Sequence, residues 1–239
     1  MPSFQFKKFS LKDDACAMKI GTDAVLLGSW ARTDDIEGNE YANILDVGTG
    51  CGIIALMMAQ RTKAMLDAVE IDEQSSLCCA ENFLASPWPN RLKLFQDEFT
   101  HFAANSVKTY DLICCNPPFF TSSLKNPDPK RAIARHDIHL SLNSLFHSSL
   151  PILNAGGVLA LIYPFLSVKN IYQAASENNL FIKNTAAVRS APGKEPVRIM
   201  LELCKKEVVT ATEDFTIRNA DNTFSEEYRN LTKDFYLAF

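Results

Sequence analysis

The chain has 239 residues, a net charge of −4, and 47% hydrophobic and 22% charged residues. That is enough for one α/β domain with a sizeable core and too little for two large ones. No apolar run approaches the roughly 18 residues of a membrane span and the N-terminus lacks the apolar core of a signal peptide, so a cytoplasmic protein is expected. The acidic balance argues against a chain that coats nucleic acid, while leaving room for a local basic rim. Seven cysteines, two pairs of them adjacent (Cys78-Cys79, Cys114-Cys115) and neither with Cys-x-x-Cys spacing, read as reduced core residues. No metal site is expected from them.

Residues 4–20 predict a β-hairpin: Phe4, Phe6, Phe9 and Leu11 form an aromatic and apolar stripe, Lys12-Asp13-Asp14 turns, and Ala15 to Ile20 returns. Gly21-Thr22-Asp23 then opens a helix whose apolar face is Val25, Leu26 and Trp30, with Thr22 or Asp23 as its cap. Such a turn exposes backbone N–H groups that suit a carboxylate. From residue 44 short apolar strands alternate with helical segments, which predicts a parallel sheet covered on both faces. The strands are placed at 44–47, 66–71, 92–95, 110–115, 158–163, 181–188 and 198–204, and the helices at 52–61, 73–85, 141–153 and 167–178. Gly156-Gly157 marks a break between helix and strand. The loop Pro192-Gly193-Lys-Glu-Pro196 makes the last two strands an antiparallel hairpin at the sheet's edge. Residues 205–239 form a tail whose aromatics predict docking on the core.

Three strand ends and one tetrapeptide carry the chemistry. Ile44-Leu-Asp46-Val-Gly48-Thr-Gly50-Cys-Gly52 is a strand running into a glycine turn and a helix, where the backbone can bend sharply and approach a ligand. Its spacing is tighter than the pattern that cradles a pyrophosphate and suits a ligand with an amino acid and a nucleoside. Some twenty residues on, Glu70 ends the second strand, where an acid can accept both ribose hydroxyls; Asp72 is the competing choice, or the cap of the next helix. Asp97 follows the third strand and can accept from an adenine amino group, with Phe99 as a ring contact. Asn116-Pro117-Pro118-Phe119 ends the fourth. Two prolines hold the backbone extended and stop the strand, so the Asn116 amide and the Pro117 carbonyl become paired acceptors beside an aromatic ring. An amino group on a flat ring suits such a site, with Phe119 and Phe120 stacking on the ring. Downstream, Lys125, Lys130, Arg131 and Arg135, together with Lys7, Lys8, Lys194 and Arg198, offer a basic rim for phosphates.

The order and spacing of these elements resemble the class I S-adenosylmethionine-dependent methyltransferases over residues 20 to 204. The tetrapeptide is similar to that of the group acting on exocyclic or side-chain amino groups. Ala17 to Trp30, Asp46 to Gly52, Glu81-Asn82 with Ser86-Pro87-Trp88, Asn116 to Phe119 with Arg131 and Ala134-Arg135, and Asp234-Phe-Tyr-Leu237 together resemble the bacterial tRNA1(Val) adenine N6-methyltransferases. The resemblance implies a doubly wound, seven-stranded, mostly parallel Rossmann-like sheet with an N-terminal β-hairpin and an antiparallel last strand. It also implies one methyltransferase domain over 1–239, comprising the extension 1–20, the core 21–204 and the tail 205–239. S-adenosylmethionine would be held by Gly21, Thr22, Asp23, Asp46, Gly48, Gly50, Gly52, Glu70, Asp97 and Asn116. Catalysis would fall to Asn116, Pro117, Pro118 and Phe119, and substrate contacts to Phe119, Phe120, Lys130, Arg131 and Arg135. The expected substrate is the adenosine beside the anticodon of a valine tRNA and the expected assembly a monomer. An rRNA base, a DNA adenine, a protein glutamine or a non-catalytic scaffold are the alternatives.

Overall fold

The computed structural model describes residues 4–16, 18–35, 37–117 and 140–239. Two short strands, β1 (Phe4–Gln5) and β2 (Ser10–Leu11), precede helix α1 (Thr22–Trp30). Then β3 (Asn43–Val47), α2 (Ile53–Arg61), β4 (Met65–Glu70), α3 (Glu73–Ala85), β5 (Leu92–Gln96), α4 (Phe99–Asn105) and β6 (Tyr110–Cys115) alternate. After them come α5 (Leu142–Ile152), β7 (Leu153–Pro164), α6 (Val168–Glu177), β8 (Phe181–Arg189), β9 (Pro196–Cys204), β10 (Ala211–Thr216) and α7 (Glu226–Thr232).

The main sheet has eight strands among the described residues, in the order β10-β8-β9-β7-β6-β3-β4-β5. All neighbours are parallel except β9, which is antiparallel to both β7 and β8. The central strands are buried throughout because helices cover both faces, which is why they read as continuous apolar runs. Successive residues alternate between two cores: Ile44, Leu112 and Cys114 face the core built with α1, α2 and α3. Leu45, Val47, Ile113 and Cys115 face the core built with α4, α5 and α6. No helix among the described residues is long and apolar enough to cross a membrane.

Five expectations are corrected. The N-terminal hairpin is shorter than 4–20 and turns at Lys7-Lys8, where Phe6 N donates to Phe9 O at 2.9 Å. Packing decides this: the Phe6 and Phe9 rings stack at 4.8 Å, and beyond Leu11 the chain bonds to α3 through Lys12 N and Asn82 Oδ1 at 2.9 Å. The hairpin β8–β9 exists but does not form the edge, because β10 adds an eighth strand beside β8. Gly156 and Gly157 lie inside β7, in an irregularity where the pairing passes from Tyr110↔Leu153 to Leu112↔Val158. At Gly157 a Cβ would stand 2.9 Å from Tyr110 O, so only glycine lets the strands approach there. Helix α4 was not expected. Finally, α1 is capped by Gly21 without any side-chain bond, and Thr22 and Asp23 form its first turn.

Candidate active site

The carboxyl ends of β3, β4, β5 and β6 are neighbours on one edge of the sheet, about 5 Å from strand to strand. Beyond β3 the chain passes through Gly48 (φ +67°), Gly50 (φ +58°) and Gly52 (φ +88°), left-handed conformations that glycine adopts without strain. At Gly52 a Cβ would also lie 2.6 Å from the Phe83 ring and 2.9 Å from Cys79 Sγ, so α3 packs directly against the turn. At Gly48 and Gly50 it would meet nothing within 4 Å. The turn is tied to β4: Gly48 N and Thr49 N donate to Val69 O at 2.9 and 3.1 Å, and Gly50 N donates to Glu70 Oε2 at 2.8 Å. What the turn offers a ligand is therefore open space above two glycines more than unbonded N–H groups.

Asp46 faces α2 from the end of β3. Its Oδ2 accepts from Thr49 Oγ1 at 2.6 Å and from Ala55 N at 3.1 Å. Its Oδ1 is buried with no partner among the described residues. Burial pushes this carboxyl up to about 6, against the pull of the two hydrogen bonds and with a small push from the Glu70 charge. A cationic group placed at Oδ1 would relieve that cost.

Glu70 and Asp72 separate cleanly. Asp72 Oδ1 accepts from Ser75 N at 2.8 Å and caps α3. Glu70 is 8% exposed and holds the glycine turn with one oxygen and Asp72 N with the other, at 2.9 Å. Each carboxylate oxygen has a second lone pair, so Glu70 keeps acceptor capacity beside the turn.

Asp97 stands next, with its N donating to Glu70 O at 3.0 Å. Its side chain accepts from Glu98 N at 2.8 Å and pairs with His101 Nδ1 at 2.8 Å. His101 was not singled out from the sequence, and neither was its helix. The signal was present: Glu98 caps α4 by accepting from Thr100 N and His101 N, and Phe99, Phe102 and Ala103 recur at helical spacing. Because Phe99 is buried in the core as part of that face, it is not the open ring contact expected beside Asp97.

Asn116 follows β6, one step beyond the registered pair Val47↔Cys115 and so level with the start of the glycine turn. Its Oδ1 is the second buried acceptor of this edge without a partner among the described residues. Pro117 is buried. Pro118, Phe119, Phe120, Lys130, Arg131 and Arg135 lie outside the described residues. Gly21, Thr22 and Asp23 sit at the start of α1, where helix geometry leaves the first N–H groups without intrahelical partners. Asp23 Oδ2 accepts from Arg198 Nε at 2.8 Å, so this cation of the expected rim is tied to α1. Lys7, another, donates to the main-chain oxygens of Lys233 and Phe239 and fastens the hairpin to the tail.

All seven cysteines are free and buried. Burial raises the Cys114 and Cys115 thiols, which stay protonated and unreactive beside the site.

A doubly wound sheet with a glycine turn after its first core strand, an acid ending the second and an amide ending the fourth defines a class I methyltransferase, whose methyl donor is S-adenosylmethionine. The residues present suit that donor: a buried carboxylate oxygen without a partner among the described residues, a turn with open space over Gly48 and Gly50, and two further acids on adjacent strand ends. The family model of the methyltransferase small domain matches residues 23–171. A protein of Parabacteroides distasonis named tRNA1(Val) (adenine(37)-N6)-methyltransferase is 42% identical over 237 residues, covering 99% of this chain and 98% of its own. One of Phocaeicola vulgatus with the same name is 40% identical over 236 residues, covering 99% and 98%. Among solved structures, one described as a predicted O-methyltransferase from Agrobacterium tumefaciens superposes with a TM-score of 0.66 at 19% identity. It covers 89% of this chain and 96% of that one, and speaks for the fold alone. The chain belongs to the methyltransferase small domain family and, within it, to the family of the tRNA1(Val) (adenine(37)-N6)-methyltransferases.

Proposed function

We propose that this protein methylates N6 of adenosine 37 in tRNA1(Val), acting as a single methyltransferase domain in the cytoplasm. The observation that carries the reading is the buried Asn116 Oδ1 at the end of β6, without a partner among the described residues and level with the glycine turn. The names of relatives about 40% identical over almost the whole chain support the same substrate.

When bound, S-adenosylmethionine supplies an electrophilic methyl carbon on a sulfonium. Asp46 would hold its cationic amino-acid end together with the first turn of α1 at Gly21, Thr22 and Asp23. Gly48, Gly50 and Gly52 shape the floor, Glu70 takes the ribose hydroxyls and Asp97 the adenine amino group. On the substrate side, Asn116 Oδ1 and the Pro117 carbonyl each accept one hydrogen of the adenine N6. That fixes the nitrogen's orientation and leaves its lone pair facing the methyl group, which is positioning more than acid–base catalysis. No strong base is required, since the proton leaves to water after transfer. Phe119 and Phe120 would stack on the base, and Lys130, Arg131 and Arg135 would meet phosphates. An anticodon loop suits the site because its bases are already unstacked.

The test is direct. The purified protein, S-adenosylmethionine and an unmodified tRNA1(Val) transcript should yield N6-methyladenosine at position 37, read by digestion and nucleoside mass spectrometry. A protein that binds the donor but leaves the transcript unmodified would sink the RNA assignment.

A further inference from the structure

The same carboxyl edge continues past Asn116 to a cavity that shares Thr22 and Asp23 with the proposed donor site and whose other lining residues the proposed chemistry does not use. A cavity of about 640 Å³ lies where the start of α1, the ends of β8 and β10, the start of β9 and the tail meet. Its volume is that of a small-molecule site. Arg198, in its wall, pairs in register with Pro164 at the end of β7, and β7 neighbours β6. The cavity thus begins two strands, about 10 Å, from Asn116.

Its lining has a definite chemistry. The Arg218 guanidinium lies 4.3 Å from the centroid of the Phe224 ring. Phe224 in turn stacks on Tyr228 at 5.0 Å with 15° between the planes. Guanidinium, phenyl and phenol form a three-layer stack, held by Arg218 Nη1 donating to Asn222 O at 2.7 Å and by the Tyr228 and Tyr236 hydroxyls bonding at 3.2 Å. Docking the tail accounts for Tyr228 and Phe235, each 2% exposed. Phe224, Tyr236 and Phe239 are half-buried: they pack against the core and one another on one side, and with the half-buried Arg218 they line the cavity on the other. Among the described lining side chains two are cationic, Arg198 and Arg218, and one is acidic, Asp23, which accepts from Arg198. In a chain of net charge −4 this is a local positive excess.

We propose that this cavity holds a nucleotide flanking the methylated adenosine in the same RNA strand, its base stacked on the outer face of the Arg218 guanidinium, which the Phe224 ring backs, and its phosphate drawn by the net positive charge of the lining. Flat guanidinium and aromatic surfaces bind unpaired bases of any sequence, and a cation adds the salt-dependent attraction for phosphate. Asp23 and Arg198 form the seam between this subsite and the methyl donor. The inference rests on the proposed RNA substrate.

Arg218→Gln and Phe224→Leu, assayed on the anticodon stem-loop, should each raise KM about tenfold. The effect should fall on KM rather than kcat, with the calorimetric Kd for S-adenosylmethionine unchanged. Arg218→Gln should also lower the slope of log KM against log salt by about one. A 4-thiouridine placed beside the target adenosine should crosslink, on irradiation, to a peptide within 217–239. Wild-type KM and salt slope in both variants would overturn the proposal. So would a crosslink elsewhere, or a loss confined to melting temperature and kcat with KM unchanged, which is the mark of a purely structural role. If the wild-type protein methylates no tRNA, the subsite falls with the function; if it does and the variants match it, the subsite falls alone.

Discussion

Along one edge of the sheet, the β3-β4-β5 half binds its polar groups to itself, whereas the β9-β8-β10 half turns rings and guanidinium groups into a cavity. In the first half the glycine turn is stapled to β4 by Val69 O and Glu70, Asp72 caps α3 and Asp97 pairs with His101. What remains there without a partner among the described residues is one oxygen of Asp46, with Asn116 Oδ1 at the border between the halves. In the second half the contacts are the Arg218–Phe224–Tyr228 stack and the Asp23–Arg198 pair. The contrast teaches how the labour is divided. On the proposed reading, a small donor would be met by a few fixed acceptors on strand ends, and a long, flexible polyanion by flat and cationic surfaces that tolerate its variation.

That division can be broken or sharpened in turn. The largest effect belongs to the border: Asn116→Ala should lower kcat by about 100- to 1000-fold while the Kd for S-adenosylmethionine holds. A variant with normal turnover would remove Asn116 from the chemistry. Next, Gly52→Ala should destabilise the ligand-free protein by about 2–4 kcal/mol, because its Cβ must enter the Phe83 ring and Cys79 at a left-handed φ. Denaturant unfolding reads this, and an unchanged midpoint would show that the turn is not packed against α3 as described. Smaller, and confined to the donor side, Glu70→Gln should weaken S-adenosylmethionine about tenfold by calorimetry and leave the KM for tRNA alone. An effect on tRNA alone would reverse the assignment of the two halves.

The smallest effect is a pH dependence. Asp46 has its pKa raised from 3.8 to about 6 by burial, so the folded state holds the proton more tightly than the unfolded chain. The cost of ionising it is absent below about pH 4, grows towards pH 6 and is complete above that. Asp46→Asn keeps an acceptor oxygen for Thr49 and Ala55 without the charge. Relative to wild type its melting temperature should rise as the pH is taken from 4 to 7. Parallel melting curves across that range would place the strain elsewhere.

The donor half was largely legible in the sequence, since a glycine turn, an acid twenty residues on and an Asn-Pro-Pro strand end are local patterns with local causes. The same holds for α2 and α3, whose periodicity and cap are contiguous. The other half was not. β10 is polar and mostly exposed along Ala211–Asp214, so nothing in its residues announces a strand until β8 lends its free edge. Lys7-Lys8 and Lys12-Asp13-Asp14 are equally good polar breaks, and only the stacking of Phe6 on Phe9 selects the first. Helix α4 escaped because it has seven residues and an uncommon glutamate cap.

By itself the sequence determined which backbone could make the turn at Gly48 to Gly52, which acids end the strands beside it and where β6 must stop, because these follow from φ preferences, alternation and the geometry of proline. Tertiary structure alone decided that Asp46 Oδ1 and Asn116 Oδ1 would be buried without partners among the described residues, that Glu70 and not Asp72 would face the turn, and that Asp23 would meet Arg198 across 175 residues of chain. Burial and pairing depend on what packs against a residue from afar, and local residues do not specify that.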